Sequence, residues 1–185
     1  KLMCFAERIL LHGTPIIFAE QSYHKDYQWV KDHETVLNFP IFSLLSCIAS
    51  KSTEKDIFAL GYLGGVSEAR GSVLTLEALK ILKARGIAPY FECIGPISET
   101  HKKELLKKCE DYKLSNVKFY GYLPMVKGWA VMKRCGVGLA LLHPIPNYYE
   151  SYPTKLFEYM AMGIPVITSN FPLYRSIIEG NECGL

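Results

Sequence analysis

Glu150 and Glu158 bracket the run ESYPTKLFE with seven residues between them, and the chain continues YMAMGIPVITSN. Pro153 can open a helix in that run, and a helix start presents free backbone N–H groups and the positive end of its dipole. Phosphate is the usual guest at such a place. Lys155 falls in the first turn, where the dipole disfavours a cation unless an anion lies in front of it. Glutamates on either side of that anion can accept hydrogen bonds from hydroxyl groups. Hydroxyl, phosphate, hydroxyl is the chemical outline of a nucleotide-sugar. Singly, Glu150 reads as a loop charge and Glu158 as a solvated helix residue. With Pro153, Lys155 and the small-residue turn Ala161-Met162-Gly163 they read as a site.

Two other loops carry candidate chemistry. In GYLGGVSEARG, Gly64 and Gly65 remove side chains at a strand end, so that a ligand can approach the backbone closely. Arg70 arrives just before the next helix, where a guanidinium can meet a phosphate with paired donors. A tight turn followed by a solvated arginine accounts for the same residues. In FYGYLP, Gly121, Tyr122 and Leu123 follow a strand, and backbone groups there can read a base edge while an apolar side chain covers its face. An ordinary strand-to-helix turn with Pro124 at the first helical position also fits. His143 precedes a proline with no visible partner, so it reads as structural and not as a base. The glycine spacing is not GxGxxG, and neither TVLNFP nor APYFECIG closes with a ribose-binding acidic residue, which argues against a nicotinamide or flavin cofactor.

These loops need a scaffold that brings them to one edge. From Ile57 onward strands and helices alternate: IFALGYLG, then the helix GSVLTLEALKILKARG with Val73, Leu76, Leu79 and Leu82 on one face, then APYFECIG. SETHKKELLKKCEDYK is a basic amphipathic helix that Ser98 can cap, followed by the strand NVKFYGYL, the helix PMVKGWAVMKRC and the strand GVGLALL. The helix TKLFEYMAM, the strand GIPVITS and the short helix PLYRSIIEG complete the series. Apolar strands without polar alternation mean a parallel sheet covered on both faces, an α/β, doubly wound Rossmann-like domain with its ligand at the carboxyl ends of the strands. The first fifty residues differ. KLMCFAERILLHG predicts a helix, while TPIIFAE and TVLNFP predict short strands, too little to close a sheet. Residues 1–50 are thus expected to be the remnant of a preceding domain plus a linker, with the boundary in SKSTEKD at 50–56 and the second domain at 51–185. Lys1 in place of Met, and an end at NECGL without a closing element, give the expectation of a fragment truncated at its C-terminus.

Composition narrows the function classes. The 185 residues suit one domain plus a remnant, and 49% apolar content allows a sizeable core. A net charge of +3, with no long run of like charge, does not indicate nucleic acid. Cys4, Cys47, Cys93, Cys109, Cys135 and Cys183 form no CxxC pair, which argues against zinc and for a reducing cytoplasm. No stretch approaches the roughly 20 apolar residues that span a bilayer, and the N-terminus does not read as a signal peptide.

The residues Glu150, Glu158, AMGIPVI, the strand-loop IGP, NVKFYGYLP and the terminal NECGL resemble the C-terminal, donor-binding domain of the retaining family-four nucleotide-sugar glycosyltransferases, which have two facing Rossmann-like domains, the GT-B architecture. The resemblance covers most of 57–185, with VLNFP where that family has a Val-x-x-Asn linker after its acceptor domain. It implies that Glu158 accepts from ribose hydroxyls and that Glu150 sits by the transferred sugar, with the amides of Ser151 and Tyr152 near its hydroxyls. It also places Pro153, Thr154 and Lys155 with Gly64, Gly65, Arg70, Tyr122 and Leu123 around the donor. Arg70 stands where the family has a phosphate-binding lysine, and Gly65 where it has an arginine. Glu150, Arg70 and Lys155 are the implied catalytic residues. The donor is UDP- or GDP-linked, with no metal or other cofactor, and the acceptor is a saccharide or lipid-linked intermediate. Polysaccharide or glycolipid synthesis in the cytoplasm, peripheral at the inner membrane face, follows from the same likeness. A nucleotide-sugar 2-epimerase shares the two-domain plan, and a nucleotide-binding module inactive by itself is the non-enzymatic alternative.

Overall fold

A computed structural model of the chain describes residues 2–49 and 53–185. Helix α1 (Leu2–Leu10), strand β1 (Ile16–Phe18), helix α2 (Tyr23–Asp26), strand β2 (His33–Thr35) and helix α3 (Phe42–Ala49) form the first segment. Strands β1 and β2 pair in parallel, and Phe18 is buried among the rings of Tyr23, His24, Tyr27 and His33. The strand expected over TVLNFP lies two residues earlier. Its partner β1 is only three residues long, so the ladder ends once Val36 N–H reaches Phe18 O at 2.9 Å. The rest of that run has no strand to pair with, and Phe39 instead packs edge-on against Phe157 with ring centroids 4.9 Å apart. Residues 50–52 of the expected boundary lie outside the described residues.

The second segment alternates as expected. It contains β3 (Asp56–Leu63), a 3-10 turn (Glu68–Arg70), α4 (Ser72–Ala84), β4 (Tyr90–Ile94), α5 (Glu99–Asp111), β5 (Val117–Gly121) and α6 (Met125–Met132). Then come β6 (Cys135–Ala140), α7 (Pro146–Tyr149), α8 (Thr154–Ala161), β7 (Val166–Thr168) and α9 (Pro172–Ile178). Five strands form one parallel sheet in the order β5-β4-β3-β6-β7, the doubly wound Rossmann-like arrangement that the sequence predicts. Strand order reverses between β3 and β6, and a crevice opens at such a switch point.

Both faces of the sheet are covered. Leu76 and Leu79 of α4 and Leu105 of α5 pack against Tyr62, Phe91, Cys93 and Leu139 on one side. Trp129, Met132, Leu156, Tyr159, Tyr174 and Ile178 pack against Ile94, Ala140 and Val166 on the other. Leu45 of α3 is fully buried in this second core, and Lys133 Nζ donates to the carbonyl of Ile48, so α3 is bound to the large sheet. At the C-terminus the chain runs along β7: Val166 N–H donates to Cys183 O at 3.0 Å and Leu185 N–H to Val166 O at 2.8 Å. The run NECGL is thus paired with the β7 edge.

Strand β6 approaches α8 so closely that a Cβ on Gly138 would lie 2.5 Å from the Tyr159 ring. Backbone relief there requires moving a fully buried aromatic ring. Gly138→Ala should therefore cost ~1–3 kcal/mol as an overpacked core position. The urea midpoint should fall at constant m-value, and an unchanged midpoint would show that Tyr159 can shift freely.

Candidate functional site

The loops after β3 and β6 meet at the carboxyl edge of the sheet. Gly64 (φ 133°) donates its N–H to Ile94 O at 2.9 Å, and a Cβ on neighbouring Gly95 (φ 146°) would sit 1.8 Å from Gly64 O. Backbone lies directly on backbone here, which only glycine permits. Tyr62 Oη donates to Gly65 O at 2.6 Å and holds the turn down. His143 N–H donates to Ala69 O at 2.9 Å, tying the loop after β6 to the 3-10 turn that carries Arg70. A Cβ on Gly65 would be 3.2 Å from Arg70 Nη1, and one on Gly64 would be 3.2 Å from Lys155 Nζ. The two cations flank the glycine pair, as the sequence predicts.

Their electrostatics differ. Lys155 Nζ is buried, has no hydrogen-bond partner, and lies 4.1 Å above the centroid of the Tyr62 ring. Burial, reinforced by the Arg70 charge, lowers the Lys155 pKa to about 7, against the opposing pull of Glu158. Burial acts on Arg70 in the same sense, but hydrogen bonding with Tyr148 and Tyr62 outweighs it, and the Arg70 pKa is raised. Arg70 is a permanent charge and Lys155 a conditional one. Burial raises the Glu158 pKa, offset in part by the nearby Trp129 indole and by the Lys155 charge.

A cavity of about 220 Å³ gathers Arg70, Ser151, Tyr152, Pro153, Thr154 and Lys155. Pro153 stands at the N-cap of α8, one residue ahead of its expected place, and no side chain caps the helix. Glu158 sits one turn further along the same helix, and its charge acts on Lys155. Glu150 is not in this cavity; its exposed carboxylate is paired with Lys25 and lines an adjacent cleft. Tyr122, 75% exposed, and Leu123 follow β5 and do not line the cavity either. A larger cavity of about 540 Å³ opens at the amino ends of β3 and β6, the opposite end from where ligands bind in parallel sheets.

Five lining residues were not among the site residues read from the sequence: Glu20, Asn38, Leu142, Tyr148 and Tyr174. Glu20 is buried, and its Oε1 accepts from Tyr152 N–H at 3.1 Å and from Ser151 Oγ at 3.3 Å. It closes the short strand segment TPIIFAE, and nothing local distinguishes it from a strand-ending charge. Tyr174 has a buried hydroxyl without a partner, yet the periodicity of its helix marks it only as core. Among the described residues no group of His, Cys, Asp and Glu side chains has the arrangement to hold a metal ion.

The family model described as "Glycosyl transferases group 1" matches residues 48–185. No curated protein matches the chain. Among solved structures, a glycosyltransferase from Rickettsia africae is similar at a TM-score of 0.67 and 14% identity, over 100% of this chain and 52% of that one. Anabaena HepE in complex with UDP gives 0.66 and 17%, over 93% and 49%. Sucrose-phosphate synthase from Thermosynechococcus elongatus gives 0.65 and 17%, over 100% and 48%. The chain thus spans about half the length of these proteins, and the likeness shows the fold, one Rossmann-like half of the GT-B architecture.

The buried ammonium has a consequence for stability. Unfolded, Lys155 holds its proton up to its ordinary pKa of 10.5; folded, it holds it only to about 7. Its contribution is therefore fully present above 10.5 and is lost as the pH falls to about 7. Lys155→Met should be more stable than wild type by at least ~1 kcal/mol at pH 6, with the gap closing toward pH 10. Urea unfolding at both pH values checks this, and an equal gap at both would refute the buried-cation assignment.

Proposed function

Because the chain belongs to the group 1 glycosyl transferases, we propose that it carries the donor site of a retaining, family-four enzyme. That enzyme transfers a sugar from a UDP- or GDP-linked donor to a hydroxyl acceptor. The observation that carries the reading is the pair of Arg70 and the unpartnered Lys155 Nζ beside the Gly64-Gly65 backbone, in front of the uncapped start of α8. Two cations and a helix N-terminus facing one small cavity suit a diphosphate. In this reading Glu158 accepts from the ribose hydroxyls, Glu150 holds the sugar, and Tyr122 and Leu123 border the base. HepE with UDP and glucose bound, and WaaG in lipopolysaccharide biosynthesis, support a nucleotide donor and a saccharide or lipid-linked acceptor. The full-length protein would work in the cytoplasm, peripheral at the inner membrane face, in polysaccharide or glycolipid synthesis.

The chemistry follows from charge. The bond from the anomeric carbon to the phosphate oxygen breaks, and the acceptor hydroxyl oxygen attacks from the face that the phosphate leaves, which retains configuration. The hydroxyl proton passes to the departing phosphate. Negative charge grows on the nucleoside diphosphate as that bond opens, and Arg70, Lys155 and the α8 dipole stabilise it without calling on a metal. Glu150 and Glu158 are hydroxyl holders, not the acid–base pair of a glycosidase.

Calorimetric titration of the chain with UDP, GDP, UDP-glucose and GDP-mannose tests this. One nucleotide series should bind; Glu158→Ala should weaken it about tenfold, the worth of one hydrogen bond to a charged group, and His143→Ala should leave it within about twofold. Failure of all four ligands to bind would overturn the reading. The pH adds a second check. A bound phosphate raises the Lys155 pKa from about 7, so affinity should be level below pH 7 and weaken as the pH rises above it, with proton uptake on binding. Above pH 7 the binding enthalpy should then change with the ionisation enthalpy of the buffer.

A further inference from the structure

The groups expected to hold the sugar are not free. Tyr152 N–H and Ser151 Oγ both donate to the buried carboxylate of Glu20, at 3.1 and 3.3 Å, and Glu150 is paired with Lys25. Both partners come from one short stretch of the first segment, where Glu20 follows β1 and Lys25 lies in α2. The nucleotide end is treated differently, since Lys155 Nζ has no hydrogen-bond partner. Glu20 thus places an anion on the same N–H that a sugar hydroxyl oxygen would use, while Lys25 engages the carboxylate that the sugar hydroxyls would use.

Resting on the donor-site reading above, we infer that Glu20 and Lys25 form a latch that occupies the sugar subsite until a nucleotide-sugar displaces it. The latch is shallow for two physical reasons. The second oxygen of Glu20 is buried with no partner, and an unpaired oxygen of a buried carboxylate works against the closed state. The Lys25–Glu150 pair is exposed on both sides, and such pairs hold weakly. A sugar replaces both contacts in one exchange: a hydroxyl oxygen accepts from Tyr152 N–H, and hydroxyl protons are donated to Glu150. Glu20 then leaves the cavity for water, where both of its oxygens are solvated. A nucleoside diphosphate lacks the sugar and binds at Arg70 and Lys155 with the latch shut. The latch lowers the apparent affinity for nucleotide-sugars by the fraction of molecules that are open, and leaves nucleotide affinity alone.

Calorimetry on the full chain with UDP, UDP-glucose, GDP and GDP-mannose separates these cases. Glu20→Ala should tighten the nucleotide-sugar about tenfold, the worth of one hydrogen bond to a charged group, with the matching nucleotide changed less than about twofold. Lys25→Met, on the exposed side and harmless to the fold, should tighten the nucleotide-sugar about threefold, in keeping with the small worth of an exposed ion pair. Amide hydrogen exchange reads the latch directly: Tyr152 N–H should be protected in ligand-free wild type, exposed in Glu20→Ala, and protected again by the nucleotide-sugar but not by the nucleotide. Unchanged or weaker nucleotide-sugar binding in both variants, with the nucleotide still bound, would overturn the latch. If neither nucleotides nor nucleotide-sugars bind wild type, the donor-site reading falls and the latch falls with it.

Discussion

A single buried ammonium joins the two halves of the site. Lys155 Nζ lies over the ring of Tyr62, so that the first turn of α8 is held against the end of β3 by a cation–π contact and not by an ion pair. Tyr62 in turn fixes the Gly65 carbonyl and helps to keep Arg70 charged. Removing water from this cluster makes every charge in it count for more, and also makes the unpaired ammonium costly. An anion in front of Lys155 would relieve that cost, which is why the proposed donor site and the least comfortable charge of the fold coincide.

The scaffold supplies that cluster by backbone contact. Gly95 lies so close to Gly64 that any side chain would drive the β3 and β4 loops apart. On the other flank Gly163, in the left-handed region at φ 62°, ends α8 and lets Ile164 N–H return to Tyr159 O at 2.9 Å. Tyr159 then accepts from Leu63 N–H at 2.9 Å, so the same helix that presents Lys155 at its start is pinned to β3 by its buried middle. Position of the cation and packing of the core are two ends of one helix.

Much of this was legible from residue order. The alternation from Ile57 onward, the strand-ending glycines, and the run from Glu150 to Ile167 predict the doubly wound sheet and the convergence of Arg70 with Lys155, because each rests on contacts within a few residues or on a single strand–helix period. The pairing of the chain end with β7 was not legible, because NECGL has no pattern of its own and meets β7 only as the edge of the folded sheet. The helix Phe42–Ala49 escaped for a similar reason: eight residues, apolar on several sides, give no clear period. Leu45 is buried where α3 meets α6 and α8, a long-range contact that no local pattern encodes.

The sequence by itself determined the alternation of strands and helices from Ile57 onward and the meeting of Arg70 with Lys155 beside the Gly64-Gly65 turn. Those follow from local propensity, glycine conformations and side-chain charge. Tertiary structure decided what no spacing rule contains: that Lys155 is desolvated, that Glu150 stands apart on the flank with Lys25, and that Glu20, 131 residues before Ser151, enters the cavity. Burial and long-range pairing are properties of the folded packing, set by which faces meet, and a linear pattern holds no term for them.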